Sequence, residues 1–230
     1  MNRIMTAALM LSLAAPALAA DRRYTVTEFD RVQVEGPSEV VLTTGKGPSA
    51  RATGSPEALE GVSIGVEGRT LKVRPNRSAW GGYPGRGSKA ATIHLTTHDL
   101  RGASVAGSGS LSIDKAKAMR LDLTLSGSGL LSVERVEADN LVAGLVGSGK
   151  MSVGGKVKGL KATVQGSGDF DGSALAVEDS ELRADTSGTI ALNASRTSNV
   201  VSTGQGDTVV TGKAACTVKA LGSGRVRCGK

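Results

Sequence analysis

Two carboxylates, Asp169 and Asp171, flank Phe170. At strand spacing they point to the same side, the arrangement that sugar hydrolysis or calcium binding would use. Gly-Ser-Gly-Asp-Phe-Asp, residues 166–171, also resembles a calcium-binding β-roll repeat, but such a repeat needs its own short period, which is absent. The equivalent positions of neighbouring units hold Ser110, Leu130 and Lys150. An acidic pair without copies in adjacent units reads as solvated face. The two histidines, His94 and His98, are four residues apart. Thr92-Ile93-His94-Leu95-Thr96 alternates as a strand does, and in a strand that spacing separates the rings by about 13 Å, too far for one zinc ion. No metal site, no cofactor and no catalytic group is therefore expected.

Binding chemistry is concentrated in one segment. From Gly68 to His98 no acidic residue occurs, while Arg69, Lys72, Arg74, Arg77, Arg86 and Lys89 are basic. The same stretch holds Trp80 and Tyr83; the remaining aromatic residues are Tyr24, Phe29 and Phe170. Positive charge beside exposed aromatic faces grips anionic polymers and sugar rings. Arg74, Arg77, Trp80, Tyr83 and Arg86, in a basic loop over residues 74–90, are thus the candidate ligand-binding residues. The competing reading is a solvated, glycine-rich insertion, a common loop composition.

The start of the chain places that chemistry outside the cytoplasm. Residues 1–20 carry Arg3, an apolar stretch from Ile4 to Leu13 and the small-residue pattern Ala17-Leu18-Ala19, the marks of a secretory signal peptide. Its removal deletes Arg3 and no acid, which takes the formal net charge from +7 to +6. No cysteine follows the cleavage site, which speaks against a lipid anchor, and no later run reaches the roughly 20 apolar residues of a membrane-spanning helix. An exported basic chain meets anionic glycan or the envelope surface before it meets DNA, so nucleic acid is not an expected partner. Location in the periplasm or at the extracellular cell surface follows.

The elements that must position these residues are set by repetition. Gly-Ser-Gly recurs at 107–109, 127–129, 147–149, 166–168 and 222–224, with Thr186-Ser187-Gly188 and Gly204-Gln205-Gly206 as blurred copies. Units start near Val105, Leu125, Leu145, Val164, Ala184, Ser202 and Ala220. After each glycine motif comes an apolar pair two residues apart, such as Leu111 and Ile113 or Leu131 and Val133; before the next comes a second run, such as Leu121, Leu123 and Leu125. That is the alternation of strands with one face buried. A glycine-fixed period of about 20 residues marks a solenoid whose units cannot bury a core alone. Each unit is expected to turn through at least two short strands, with room for a third face in between, and with stacked serine hydroxyls running as a ladder up the glycine corner. An antiparallel sandwich would not demand the same glycine motif in every unit, and the leucine-rich repeat frame is missing. Before residue 100 the motif disappears, but Val32 and Val34, Val40 and Leu42, Ala50 and Ala52, Ile64 and Val66, Leu71 and Val73, and Ile93 and Leu95 keep the alternation. Ser55 to Glu60 reads as a single helical turn.

The order Phe29-x-x-Val-x-Val-x-Gly36, then Val40-Val41-Leu42, then Val66-Glu67-Gly68-Arg69-Thr70-Leu71-Lys72-Val73, then Ile93 to Leu100, then glycine-serine units resembles the bacterial auto-transporter adhesin head GIN domain family. The similarity covers nearly the whole mature chain. One departure is His98-Asp99-Leu100, where the family usually reads Pro-x-Leu. The resemblance implies an exported protein that folds as a single-stranded right-handed parallel β-helix, without established catalytic residues.

The expected protein is therefore all-β. A signal peptide (1–20) precedes irregular β coils or sheet (21–104) and regular glycine-serine coils (105–230), the last two continuous as one domain. The expected role is an exported, non-catalytic, adhesin-like module that binds anionic glycan or the cell-envelope surface; the alternative is a polysaccharide-cleaving enzyme built on a β-helix. Cys216 falls where Leu121 sits in its unit and Cys228 where Ile113 sits, so both point into the last coil. In an oxidising compartment they are expected to form a disulfide that staples the open end of the stack.

Overall fold

The computed structural model describes residues 20–76 and 91–229. The signal-peptide segment up to residue 19 and the loop residues Arg77, Trp80, Tyr83 and Arg86 lie outside them. In chain order the elements are β1 (Ala20–Tyr24), β2 (Arg31–Glu35), β3 (Glu39–Thr44), β4 (Ser49–Gly54), α1 (Pro56–Glu60), β5 (Val62–Glu67), β6 (Thr70–Pro75), β7 (Thr92–Thr97), β8 (Gly102–Gly107), β9 (Ser110–Gly127), β10 (Leu130–Gly147), β11 (Lys150–Gly166), β12 (Asp169–Thr186), β13 (Ile190–Ser202), β14 (Thr208–Thr211), β15 (Ala215–Ala220) and β16 (Val226–Cys228). The helical turn read from Ser55 to Glu60 is α1: the Ser55 hydroxyl accepts from the Ala58 N–H at 3.2 Å, and Leu59 is buried.

The strands hydrogen-bond into one sheet that winds into a β-solenoid of about 6 turns. Its register joins the unit starts read from the sequence: Val105 lies opposite Leu125, Leu125 opposite Leu145, Leu145 opposite Val164, Val164 opposite Ala184, Ala184 opposite Ser202, and Ser202 opposite Ala220. Leu121, Leu123 and Leu125 and their counterparts Leu141, Ala143 and Leu145 fill the interior. The units differ from expectation in one respect. Between corners the chain does not break into two short strands; β9, β10 and β12 are single extended runs of 18 residues each. They bend without leaving the ladder, and a third inward face, with Ala116, Val136 and Leu175, closes the coil.

Glycine is required at the corners for two separate reasons. The first residue of each motif adopts positive φ, +113° at Gly107, +115° at Gly127, +116° at Gly147 and +106° at Gly166, which side chains with Cβ rarely enter. The third does not, yet a Cβ there would lie 2.6 Å from the Ser38 carbonyl at Gly109, 2.5 Å from the Gly129 carbonyl at Gly149 and 2.6 Å from the Gly149 carbonyl at Gly168. The serine between them acts through its backbone: Ser128 N–H donates to the Gly107 carbonyl at 3.0 Å and Ser148 N–H to Gly127 at 3.0 Å. Serine side chains at 108, 128, 148 and 167 are exposed. The expected hydroxyl ladder is not what joins the described coils there. Where Thr186 replaces the first glycine, its buried hydroxyl donates to the Gly168 carbonyl at 3.1 Å and accepts from the Gly188 N–H at 3.0 Å.

Chain order and stack order diverge at the N-terminal end. Strand β2 pairs in parallel with both β6 and β8, and β3 with both β7 and β9. Residues 31–44 thus form a coil wedged between two coils that come later in the chain. Buried Asp30 fixes this wedge: its carboxylate accepts from Arg69 Nε at 2.8 Å, and its carbonyl from the Arg101 N–H at 2.7 Å. Beyond β6 and β7 the pairing turns antiparallel, with β5 on β6, β4 on β7 and β1 on β4. These strands and α1 close that end of the stack. At the other end Cys216 on β15 and Cys228 on β16 are bonded through sulfur, with Cα atoms 6.4 Å apart.

The corner geometry fixes an ordering of stabilities. Gly127→Val and Gly129→Ala should each cost roughly 2–4 kcal/mol through backbone strain or overlap, while Ser128→Ala should stay within about 0.5 kcal/mol because its hydroxyl is solvated. Urea midpoints of the three variants check this; comparable small shifts for all three would contradict the corner assignment. Replacing Cys216 and Cys228 together by serine should cost roughly 3 kcal/mol by loop closure, read from the same curves and from the absence of alkylatable thiols in the unreduced parent.

Candidate functional site

The basic segment is less free in charge than its own sequence indicates, because acids from outside it fold onto its first half. Arg69 meets Asp30, Lys72 meets Glu67, and Arg74 on β6 sits between two carboxylates, with Nη1 3.1 Å from Glu67 Oε1 and Nε 3.4 Å from Glu35 Oε1. The Lys72 ammonium in turn holds the Glu67 carboxyl below its ordinary range. Strand pairing creates this cluster: Lys72 stands opposite Gln33 and Gly65, and Glu67 opposite Thr70. Strand β6 ends and β7 begins at the glycine corner, where the adjacent coil turns through Gly36-Pro37-Ser38. Arg77, Trp80, Tyr83 and Arg86 lie between β6 and β7 in the chain, outside the described residues.

The acidic pair is engaged in holding turns. Asp169 Oδ1 accepts from the Thr189 N–H at 2.8 Å and its hydroxyl at 2.9 Å, a bond from one coil to the next. Asp171 Oδ1 accepts from the Ser173 hydroxyl at 2.6 Å and N–H at 3.2 Å. These bonds favour the charged forms and lower both carboxyl pKa values. His94 on β7 and His98 just beyond it are exposed. Among the described residues no cluster of three or more histidine, cysteine or acidic side chains could hold a metal ion, and no helix is long and apolar enough to cross a membrane.

A second location emerges only when the coils are stacked. On the third face of β9 to β12 runs an open groove of about 820 Å³. Ala118, Val136, Ala138 and Val157 lie along it, buried or half-buried, and exposed Lys117, Arg135, Glu137, Lys156 and Lys158 border it. A smaller hollow of about 290 Å³ shares Lys117, Arg135 and Glu137 with it and extends to Lys115 and His98. Charges of opposite sign face one another between coils, with Lys117 Nζ 3.6 Å from Glu137 and Lys158 Nζ 2.7 Å from Asp139. Lys115, Arg135 and Lys156 make no ion pair among the described residues; Lys156 lies in register opposite Glu137, whereas Lys115 lies opposite Arg135, like charge against like. Such a juxtaposition is unfavourable unless an anion lies between. Aligning the units on their glycines would have put these positions in columns; reading the chain linearly hides them.

The fold and these surfaces can now be set against known proteins. A family model described as "Putative auto-transporter adhesin, head GIN domain" matches residues 28–214. A solved structure of a putative adhesin from Bacteroides fragilis superposes with a TM-score of 0.82 at 20% identity, over 91% of this chain and 96% of that one. Two structures from Parabacteroides distasonis also superpose. One, a putative lipid binding protein, has a TM-score of 0.72 at 21% identity over 94% and 98% of the two chains; the other, a putative adhesin, has 0.68 at 18% over 92% and 97%. Comparison with curated proteins yields no match.

The carboxylates give a pH test of their structural role. A folded-state pKa below the unfolded one contributes stability above the unfolded value and loses it as pH falls through the folded value. Asp169→Asn should therefore lower stability near neutral pH by no more than about 1 kcal/mol, since the group is exposed and screened. The difference from the parent should shrink as pH falls below the ordinary aspartate range. Urea midpoints at neutral and acidic pH check it; a gap that widens in acid would reverse the assignment.

Proposed function

Because the chain belongs to the auto-transporter adhesin head GIN domain family, we propose that it is an exported, non-catalytic β-solenoid module that holds a linear anionic polymer of the cell envelope along its coils. The observation that supports this most directly is the set of unpaired cations Lys115, Arg135 and Lys156 beside a groove crossing consecutive coils. Coils stacked about 4.8 Å apart set their groups at regular steps along the rod, which suits a ligand that is itself repetitive. An open groove lets a chain pass through, whereas a small-molecule site buries most of its ligand. Paired carboxylates for polysaccharide cleavage would have to be free, and Asp169 and Asp171 are committed to Thr189 and Ser173. On sequence grounds Arg77, Trp80, Tyr83 and Arg86 are proposed as a second contact. Arg74 is left out because Glu35 and Glu67 already neutralise it.

Retention on immobilised lipopolysaccharide and on a carboxylated polysaccharide tests the reading. Binding through exposed cations should fall steeply with salt, since charges are screened beyond about 8 Å at physiological ionic strength. The triple change Lys115→Gln, Arg135→Gln and Lys156→Gln should abolish most retention without moving the melting midpoint. A parallel variant, Arg77→Ser with Arg86→Ser and Trp80→Ala, measures this second contact separately. Release of reducing sugar from either polymer, or unchanged retention in the first variant at low and high salt, would overturn the proposal.

A further inference from the structure

The two ends of the solenoid are finished differently. At the N-terminal end the last parallel coil keeps its interior sealed: Leu71 and Val73 on β6 and Ile93 and Leu95 on β7 are buried beneath the antiparallel strands β4 and β5. At the other end β15 pairs only with β13 and β16 only with β14 among the described residues, so the outer edge of each is free. The inward positions record the missing cover. Ser198, Val200, Ser202, Thr208 and Val210 of the preceding coil are buried, and their partners in the terminal coil, Cys216, Val218, Ala220, Val226 and Cys228, are not, with Val218 at 42% exposure. Leu221 beside them reaches 64%. The end therefore offers unpaired backbone donors and acceptors together with an uncovered apolar floor, which is what an added strand satisfies and a lipid surface does not.

Charge selects the occupant. From Thr208 onward the sequence contains no acidic residue, and Lys213, Lys219, Arg225 and Arg227 are all exposed in the terminal coil. Lys219 on β15 and Arg227 on β16 occupy outward positions of the edge strands. A second copy of the same end would set these cations against one another, so the edge is guarded against self-pairing. We propose that the β15–β16 edge is a strand-addition site for an acidic, extended segment of another polypeptide, whose inward residues cover Val218 and Val226 and whose outward acids meet Lys219 and Arg227. The Cys216–Cys228 bridge ties the two edge strands together and fixes the receiving edge in advance, which lowers the ordering cost of binding. This inference stands on the terminal coil and is independent of the groove.

The test uses the oxidised full chain and a short labelled peptide alternating Glu and Val, with three comparators: the same peptide with Lys in place of Glu, the same peptide N-methylated at alternate residues to remove amide donors, and vesicles containing phosphatidylglycerol. Expected are saturable binding of the acidic peptide, at least about tenfold weaker binding of the Lys peptide and of the Lys219→Glu, Arg227→Glu variant, loss of binding on N-methylation, and slowed hydrogen exchange confined to residues 215–220 and 226–228. The Val218→Thr variant, a mild change that leaves the backbone edge in place, should retain the fold and weaken binding. Binding that survives N-methylation would reduce the effect to charge attraction and overturn strand addition. Preference for the vesicles over the peptide, or a dimer of the parent chain that the charge reversal disrupts, would replace the proposed occupant and equally overturn it.

Discussion

A carbonyl oxygen occupies the place of a side chain. At each corner the third glycine of one coil presents its carbonyl to the next coil where a Cβ would stand, from the Ser38 carbonyl against Gly109 through Gly129, Gly149, Gly168, Gly188 and Gly206 to Gly224. Everything else in the stack is arranged around that column. With no Cβ to hold them apart, successive corners come into direct backbone contact, and their hydrogen bonds fix axial register. Changes in coil length must then be absorbed elsewhere. The register shifts fall between Val133 and Val136, Ser152 and Gly155, Gly172 and Ala176, and Val177 and Asp179, all on the third face. That face also carries the groove. The cations of the groove thus sit where the fold permits residues to be added or lost, on a frame pinned at the opposite corner.

One interior column changes character along the stack: Leu121, Leu141 and Leu160 continue as Ser180, Ser198 and Cys216. Ser180 and Ser198 then hydrogen-bond to each other at 2.8 Å, which satisfies two buried hydroxyls that would otherwise be costly. Phe170, the one aromatic side chain inside the regular coils, is compensated locally: a Cβ on Gly172 would come within 3.1 Å of its ring and 3.0 Å of Leu192.

Most of this could be read from the residues because a solenoid turns spatial neighbours into a sequence period. Glycine motifs and alternating apolar pairs specified strand positions and register through β9 to β15, and the cysteine columns followed from the same alignment. Three things escaped. The wedge of β2 and β3 between later coils is a long-range pairing that no local pattern encodes, since Val34 is as good a partner for Val73 as for Val105. The neutralisation of Arg74 depends on Glu35 and Glu67, which the sheet brings in from separate strands. The unpaired cations Lys115, Arg135 and Lys156 carry no local signature, as each is an ordinary exposed residue until the coils are superposed.

Charge on the outer surface is ordered by the same superposition. Lys117 faces Glu137, Lys158 faces Asp139, Lys161 faces Glu181 and Arg196 faces Asp179, each pair linking neighbouring coils. Exposed pairs of this kind are worth less than about 1 kcal/mol apiece, so their consequence is for the field around the rod more than for its stability. Where signs alternate between coils the potential cancels over one Debye length, and only the breaks in alternation project outward. Such breaks lie beside the groove and at the terminal coil, and another, Arg23 opposite Arg51, lies on β1 and β4. The first two differ in shape, one a channel along the side and the other a sheet edge. Their ligands should differ accordingly, because a channel reads a chain's charges whereas an edge reads its backbone as well.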